Sequence, residues 1–442
     1  MQKLDQLYKL LFLILISISL SSCKDERELK TPLAPAGGVT YSDPVNYLNH
    51  IRTTSGLNLL SKNSILSTSA LNHAKYSYEN EAESHDEIEG KPYFTGKNPN
   101  ERAFYAEYNS FITENLSTNN TDAINSIDGL MSAIYHRFGF LDPKIDEIGW
   151  GSYGDDSGKN FVYNMGNSKL ESFCKEGVSD NGYGKFYSGV CKDDKISISD
   201  IKLNTFQRLN RAPFILYPNS KNTKAFFSRE TPDPMPECKI TANPISIEFN
   251  SFESPVAFVS FKVFEGDKWL MNSKILTSLN DPNSLLNEFQ FALFIKEPFK
   301  FNQTYKAEFR YIQRGEPKVV EWEFTTSTPT NPYFVVNDGD NLALKPDVWY
   351  DVFINPAHCN DVSNTYNFSF NPLQKPEIKS IDTNLLRVKL SGLKGFDTVI
   401  TTDNGKKITL VLTESSDGAF DNKFIFVFIF VIMLAIYFII KR

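Results

Sequence analysis

Apolar residues recur at helical spacing in three stretches of the first third of the chain. Ser42 or Asp43 followed by Pro44 marks a helix start, after which Val45, Leu48 and Ile51 fall on one side. A second helix is predicted from Asn63 or Ser64, burying Leu66, Ala70, Ala74 and Tyr78. A third, from Thr121, sets Ile124, Ile127, Met131, Ile134 and Phe138 in one continuous stripe and carries His136 near its end. After Pro143 the period changes from helical to alternating. Residues 147–153 and 160–165 flank Asp155-Asp156-Ser157-Gly158, which reads as a β-hairpin. This part, residues 42–168, is therefore α+β.

Residues 169–210 are rich in single glycines and are expected to form an irregular extension. Beyond them the helical period disappears. Alternation in residues 244–249, 257–264, 289–295, 305–312 and 319–325 predicts a first all-β immunoglobulin-like sandwich over 211–327. The same style in 348–354, 366–370, 385–390, 398–402 and 407–413 predicts a second over 328–416. A chain of 442 residues exceeds one ordinary core. Its 36 Phe and 20 Tyr against 4 Trp suit packed β structure throughout.

The two ends differ from the body. Lys3 and Lys9 precede an apolar run, and Leu20-Ser21-Ser22-Cys23 closes it, so residues 1–22 read as an export signal. The tetrapeptide resembles a bacterial lipobox, in which Cys23 would be diacylated; an ordinary cleaved signal with a chance cysteine is the other reading, and export follows from both. Residues 23–41, charged and then Pro/Gly-rich, are expected to be a tether. Residues 424–440 are apolar without a charge and end at Lys441 and Arg442, which predicts a transmembrane helix with the body outside the cytoplasm. The expected location is thus the bacterial cell envelope, with the membrane as partner at both ends. Which membrane holds the mature chain is left open.

A net charge of −7, spread along the chain, has no basic footprint for a phosphate backbone, which argues against nucleic acid as partner. Cys174, Cys191, Cys238 and Cys359 remain after Cys23, an even number that export allows to pair. Of the three possible pairings, Cys174 with Cys191 and Cys238 with Cys359 is the simplest, because the first pair flanks one short Gly-rich excursion. The spacing matches no zinc motif, and there is no CxxC.

Four of five histidines lie in the α+β part. His85 sits in Glu83-Ser84-His85-Asp86-Glu87, Glu114 in Thr113-Glu114-Asn115-Leu116, and His136 in Tyr135-His136-Arg137. Two imidazoles and a carboxylate from loop or helix-end positions can form a cleft for a divalent ion or an acid/base pair. His50 and His73, on helices, are expected to serve packing or surface roles. Glu114 is expected either to act at the site or to cap backbone N–H groups or pair with Arg102.

The ordered set of Asn49, Arg52, Ala70, His73, Ala74, His85, Arg102, Glu114-Asn115-Leu116, His136-Arg137 and Glu147-Ile148-Gly149-Trp150-Gly151 resembles the CAP superfamily. That family includes cysteine-rich secretory proteins, venom allergens, plant pathogenesis-related proteins and many bacterial exported proteins. The resemblance covers about Ser42 to Ser168 and implies an α-β-α sandwich with a central cleft. It also implies that His85 and His136 are cleft histidines able to bind zinc or another divalent cation, and that Glu114 matches the glutamate of a Glu-Asn-Ile/Leu motif. The family's second glutamate falls on Ala133, a departure that weakens hydrolysis by a complete tetrad. The expected function is an exported, anchored protein that binds an envelope or extracellular ligand, such as a lipid or wall component. The alternative is a metal-assisted hydrolase of peptide or wall polymer in which Glu114 activates water.

Overall fold

The computed structural model describes residues 27–37, 41–156, 158–210, 212–221 and 223–416. The signal over 1–22, Cys23 and the apolar segment 424–440 lie outside the described residues. Among the described residues, no helix is long and apolar enough to cross a membrane. The chain forms two compact units. One consists of Ala36–Thr328 with His358–Asn360, and the other of the chain up to Pro35 with Pro329–Ala357 and the residues from Asp361 on.

The larger unit begins with an α-β-α head. Its sheet has four strands, β1 (Ser61–Lys62), β2 (Thr113–Asn120), β3 (Glu147–Asp155) and β4 (Gly158–Gly166), in the order β1-β3-β4-β2. Helix α1 (Pro44–Thr54) starts at Asp43, whose carboxylate accepts from the N–H groups of Val45 and Asn46. Helix α2 (Ser64–Glu79) is capped in the same way by Asn63. Alternation along β4 decides which helix covers which face. Phe161, Tyr163 and Met165 join Leu48, Ile51, Ile127, Leu130 and Phe140 in one core. Val162 turns the other way with Leu116 and packs on Ala70 and Ala74 of α2. Tyr78, expected in that core, is only half-buried and instead donates its hydroxyl to Asp155 at 3.0 Å.

The single helix predicted from Thr121 through Phe138 is in fact two, α4 (Ala123–Ser132) and α5 (Ile134–Phe140), with α3 (Pro99–Tyr105) preceding them. Ala133 between them has extended backbone, φ −80° and ψ 117°. The apolar stripe survives the break because Ile127, Met131, Ile134 and Phe138 are all buried.

The stretch 169–210 is more regular than its glycines suggest. It contains helices α6 (Ser168–Glu176) and α7 (Asp200–Gln207), and Gly177 ends α6 in the left-handed region at φ 71°. Leu170, Phe173, Cys174, Cys191, Ile196 and Ile198 give it a small core of its own, closed by the Cys174–Cys191 disulfide. The first β module follows in the same unit. Strands Ser273–Leu276, Gln290–Ile295, Ile245–Phe249 and Phe214–Tyr217 form one sheet, and Lys268–Trp269, Ala257–Glu265, Thr304–Gln313 and Glu316–Thr325 the other. The sheets meet through Phe249, Phe258, Phe291, Phe309 and Tyr311, with ring centroids 4.9–6.2 Å apart. The Cys238–Cys359 disulfide also lies within this unit.

The smaller unit pairs the sheet Tyr333–Val336, Trp349–Ile354, Leu385–Gly392 and Gln374–Asp382 with Asn341–Leu344, Lys407–Leu412, Asp397–Thr402 and Tyr366–Ser369. Val336, Leu342, Val352, Val388, Ile400 and Leu410 from both sheets share one core. Residues 30–33, within the expected tether over 23–41, pair with strands of the smaller module. Lys30 N–H donates to Asn341 O at 2.8 Å and Leu33 N–H to Tyr333 O at 2.7 Å, so this stretch is laid along the module's strands. Its charged residues take part as well, since Lys30 pairs with Asp340 at 2.5 Å and Arg27 with Asp397 at 2.6 Å.

Candidate functional site

The three residues singled out in the sequence come together at one end of the head, each delivered by a different element. Glu114 lies on β2 in register with Asn164 of β4, on the same face as Leu116 and therefore under α2. Its neighbour Asn115 points the other way and donates from Nδ2 to the carbonyl of His136 at 2.8 Å, which ties the start of α5 to the sheet. His85 sits on the loop between α2 and α3. Arg102 of α3 holds that loop by donating from Nη1 to the His85 carbonyl at 2.8 Å.

Glu114 is sealed, with its side chain 1% exposed. Arg102 Nη2 donates to both of its oxygens at 2.7 and 2.9 Å, Asn164 Nδ2 to Oε2 at 3.0 Å, and His85 Nδ1 to Oε1 at 3.0 Å. Burial pushes its pKa up, but the His85 hydrogen bond and the charges of His73 and Arg102 outweigh that and hold the carboxyl below its ordinary value. A carboxylate so committed orients its partners. Its acceptor positions are occupied, and water has no path to it.

His136 lies on the first turn of α5, and its Nδ1 donates to Glu230 Oε1 at 2.8 Å. The two imidazoles thus have the same construction. Each donates Nδ1–H to a buried carboxylate, which leaves Nε2 as the unprotonated nitrogen of the neutral ring. The rings face each other with centroids 6.3 Å apart and planes 28° apart. His85 is 45% exposed and His136 15%, so the pair borders solvent while its carboxylates do not.

Behind this pair lies a layer that the sequence reading did not assign to the site. His73, completely buried on α2, faces Glu87 Oε1 from Nδ1 at 2.9 Å and the Ser84 carbonyl from Nε2 at 3.1 Å, and lies 3.7 Å from Glu114. Glu87 also accepts from Thr95 N–H at 2.7 Å, which fixes the loop that bears His85. The signal for His73 was available, because a polar ring one residue before Ala74 on the apolar face of α2 must be paired. Glu230 left none. His50 and His358 are exposed and stand apart from the site.

As a metal site this set is sparse. Among the described residues, no group of three or more His, Cys, Asp or Glu side chains is placed to hold an ion. Only two imidazoles face each other there, with ring centroids 6.3 Å apart. They do not fit the three- or four-ligand shells that retain zinc as a resident.

A model of the cysteine-rich secretory protein family matches residues 45–165. No curated protein matches the chain. Among solved structures, an outer surface protein of Borrelia burgdorferi is 19% identical, covering 28% of this chain and 87% of its own, with a TM-score of 0.24. An extracellular protein containing an SCP domain from Bacillus anthracis is 21% identical, covering 29% of this chain and 44% of its own, with a TM-score of 0.25. A venom allergen-like protein of Schistosoma mansoni is 14% identical, covering 28% and 84%, with a TM-score of 0.21.

Proposed function

Residues 45–165 form a domain of the cysteine-rich secretory protein family, and from that premise we propose that the chain is an exported, envelope-anchored binding protein whose ligand site is the cleft between His85 and His136. The observation that carries this reading is the pair of facing imidazoles at the solvent boundary, both held at Nδ1 by buried carboxylates. Such a pair is prearranged to receive a hydrogen-bond donor or a loosely held divalent cation from the outside. A bound ion would add an electrophilic contact for an oxygen-bearing envelope ligand, such as a lipid headgroup or wall polymer. Export is supported by the signal-like segment 1–22 and by two disulfides, which persist in oxidising compartments. Anchoring rests on Cys23 and on residues 424–440.

The geometry favours binding over hydrolysis. A hydrolase needs a base that reaches water, and Glu114 has both oxygens engaged by Arg102. The test is equilibrium dialysis of the mature chain against Zn²⁺, beside the double variant His85→Ala, His136→Ala, with peptide and wall-polymer turnover measured in parallel. Weak Zn²⁺ binding that disappears in the double variant, without turnover in either protein, is the expected result. Unchanged binding in the double variant removes the cleft from the proposal, and zinc-dependent turnover by the wild type replaces binding with catalysis.

A further inference from the structure

His136 takes its carboxylate from outside the head. Glu230 lies within the first β module, between strands Phe214–Tyr217 and Ile245–Phe249, 94 residues beyond His136, and its side chain is completely buried. Its Oε1 accepts from His136 Nδ1 at 2.8 Å, from Tyr135 N–H at 2.8 Å and from His136 N–H at 3.2 Å, while Oε2 accepts from Ile134 N–H at 2.7 Å. One carboxylate therefore satisfies the first turn of α5, which has no side-chain cap of its own because Ala133 stands there. It also sets the ring of the residue two positions beyond.

We propose that Glu230 is the positioning residue for His136, so that the cleft is completed only when the β module is docked on the head. The inference rests on the reading of His85 and His136 as the ligand pair, and adds to it where the second half of the site comes from. Each ring has one buried carboxylate oxygen at Nδ1, Glu114 at 3.0 Å and Glu230 at 2.8 Å. Glu114 is fixed from within the head by Arg102 and Asn164. Glu230 is fixed by the backbone that it caps. Ala133 has only a methyl group to offer, so no head residue on that turn could replace it. Both oxygens of Glu230 are taken, so it acts through the imidazole and does not contact a ligand itself. Release of the β module would free His136 to rotate and to change tautomer, and would open three N–H groups of α5 to water.

The experiment uses the full chain and the ¹⁵N shifts of its histidine rings at neutral pH, in wild type, Glu230→Gln, Glu230→Ala and Tyr135→Phe. Glutamine keeps the volume while turning one acceptor into a donor, which keeps the test informative if the alanine variant folds poorly. Tyr135→Phe removes a neighbouring hydrogen bond from the head to Asp281 and reports what mere loosening does. The expected result is His136 as the Nδ1–H tautomer in the wild type and in Tyr135→Phe, and a mixture of tautomers in both Glu230 variants, with His85 unchanged throughout. Zn²⁺ affinity should fall about 10- to 100-fold in the Glu230 variants, the usual loss when the partner of a ligating histidine is removed. Retention of the Nδ1–H tautomer in both Glu230 variants overturns the proposal. So does an equal loss in Tyr135→Phe. A tautomer change without any Zn²⁺ binding, even by the wild type, would instead sink the ligand reading and leave Glu230 as the positioning residue.

Discussion

Glu114 is ionised in a place where burial alone favours the neutral acid, because Arg102, His85 and His73 surround it. A carboxyl whose pKa is lower folded than unfolded contributes stability above its unfolded value, and loses it as pH falls through the folded one. The wild type should therefore lose thermal midpoint below about pH 4.5, and Glu114→Gln should flatten that acid limb while lowering the midpoint near neutrality. An acid limb of equal slope in both proteins would show that Glu114 is not the group responsible. Glu248 has the opposite sign. Gln290 donates to its Oε1 at 3.0 Å, but Oε2 is shut off from solvent without a partner, and burial, reinforced by Asp142, pushes its carboxyl up to about 8. Between its ordinary value of 4.5 and about 8 the folded state holds a proton that the unfolded chain has released. Stability should then fall with rising pH across that window, by up to about 1.4 kcal/mol per pH unit for this group. Urea titrations of Glu248→Gln from about pH 5 to about pH 8 should lack that slope.

The contact between α2 and β3 belongs to the scale of elements. A Cβ on Gly149 would lie 2.0 Å from Ser67 N, and one on Gly151 would lie 2.4 Å from the Leu71 backbone, so the helix rests directly on a strand stripped of side chains. Gly151→Ala should cost about 1–3 kcal/mol or more in urea unfolding, through forced separation of helix and strand. Gly129→Ala, on α4 with nothing within 4 Å of the added carbon, should be neutral or gain up to about 1 kcal/mol. Equal effects would refute the steric account. The same contrast explains what the chain's pattern made legible. Caps at Asp43 and Asn63, the 147–166 hairpin and the main β strands are local signals, and the structure contains all of them. The break at Ala133 left no trace in the pattern, since the apolar stripe runs at helical spacing straight through it. What makes the break tolerable is a carboxylate 96 residues beyond Ile134, and periodicity carries no such information. The edge strand β2 was hidden for a related reason: its run Thr113–Asn120 is mostly polar because it bears the site. Of the site itself, His85, Glu114 and His136 could be named from their residue types, whereas Glu230 could not.

At the scale of the larger unit, head and first β module share their interior. Ile215 and Tyr217 of the module complete the core around Leu48 and Phe140, while Ala133, Ile134 and Phe138 of the head join Phe227, Met235, Leu276 and Phe294. Between these two cores lies Arg137, fully buried. Its guanidinium donates to the Pro244 carbonyl at 2.6 Å, to Ser246 Oγ at 3.1 Å and to Asn243 Oδ1 at 2.7 Å, and stands 4.6 Å from the Tyr217 ring. Burial pushes its pKa down to about 10, which still leaves it charged at neutral pH. A buried cation with three acceptors from the neighbouring module acts as a lock, because separating the two breaks all three hydrogen bonds at once. Arg137→Leu keeps an apolar body but leaves those acceptors unpaired, at about 1–3 kcal/mol for each that finds no new partner. Hydrogen exchange of the full chain reads the consequence directly. In the wild type, α2 and β4 of the head should open with the same free energy as strands Ile245–Phe249 and Gln290–Ile295, since neither core survives alone. In Arg137→Leu the head should open at a lower free energy than the β module, and the cleft, which depends on Glu230 across the same junction, should loosen with it. Separate opening energies already present in the wild type would mean that the modules are merely adjacent, and that the site does not depend on their docking.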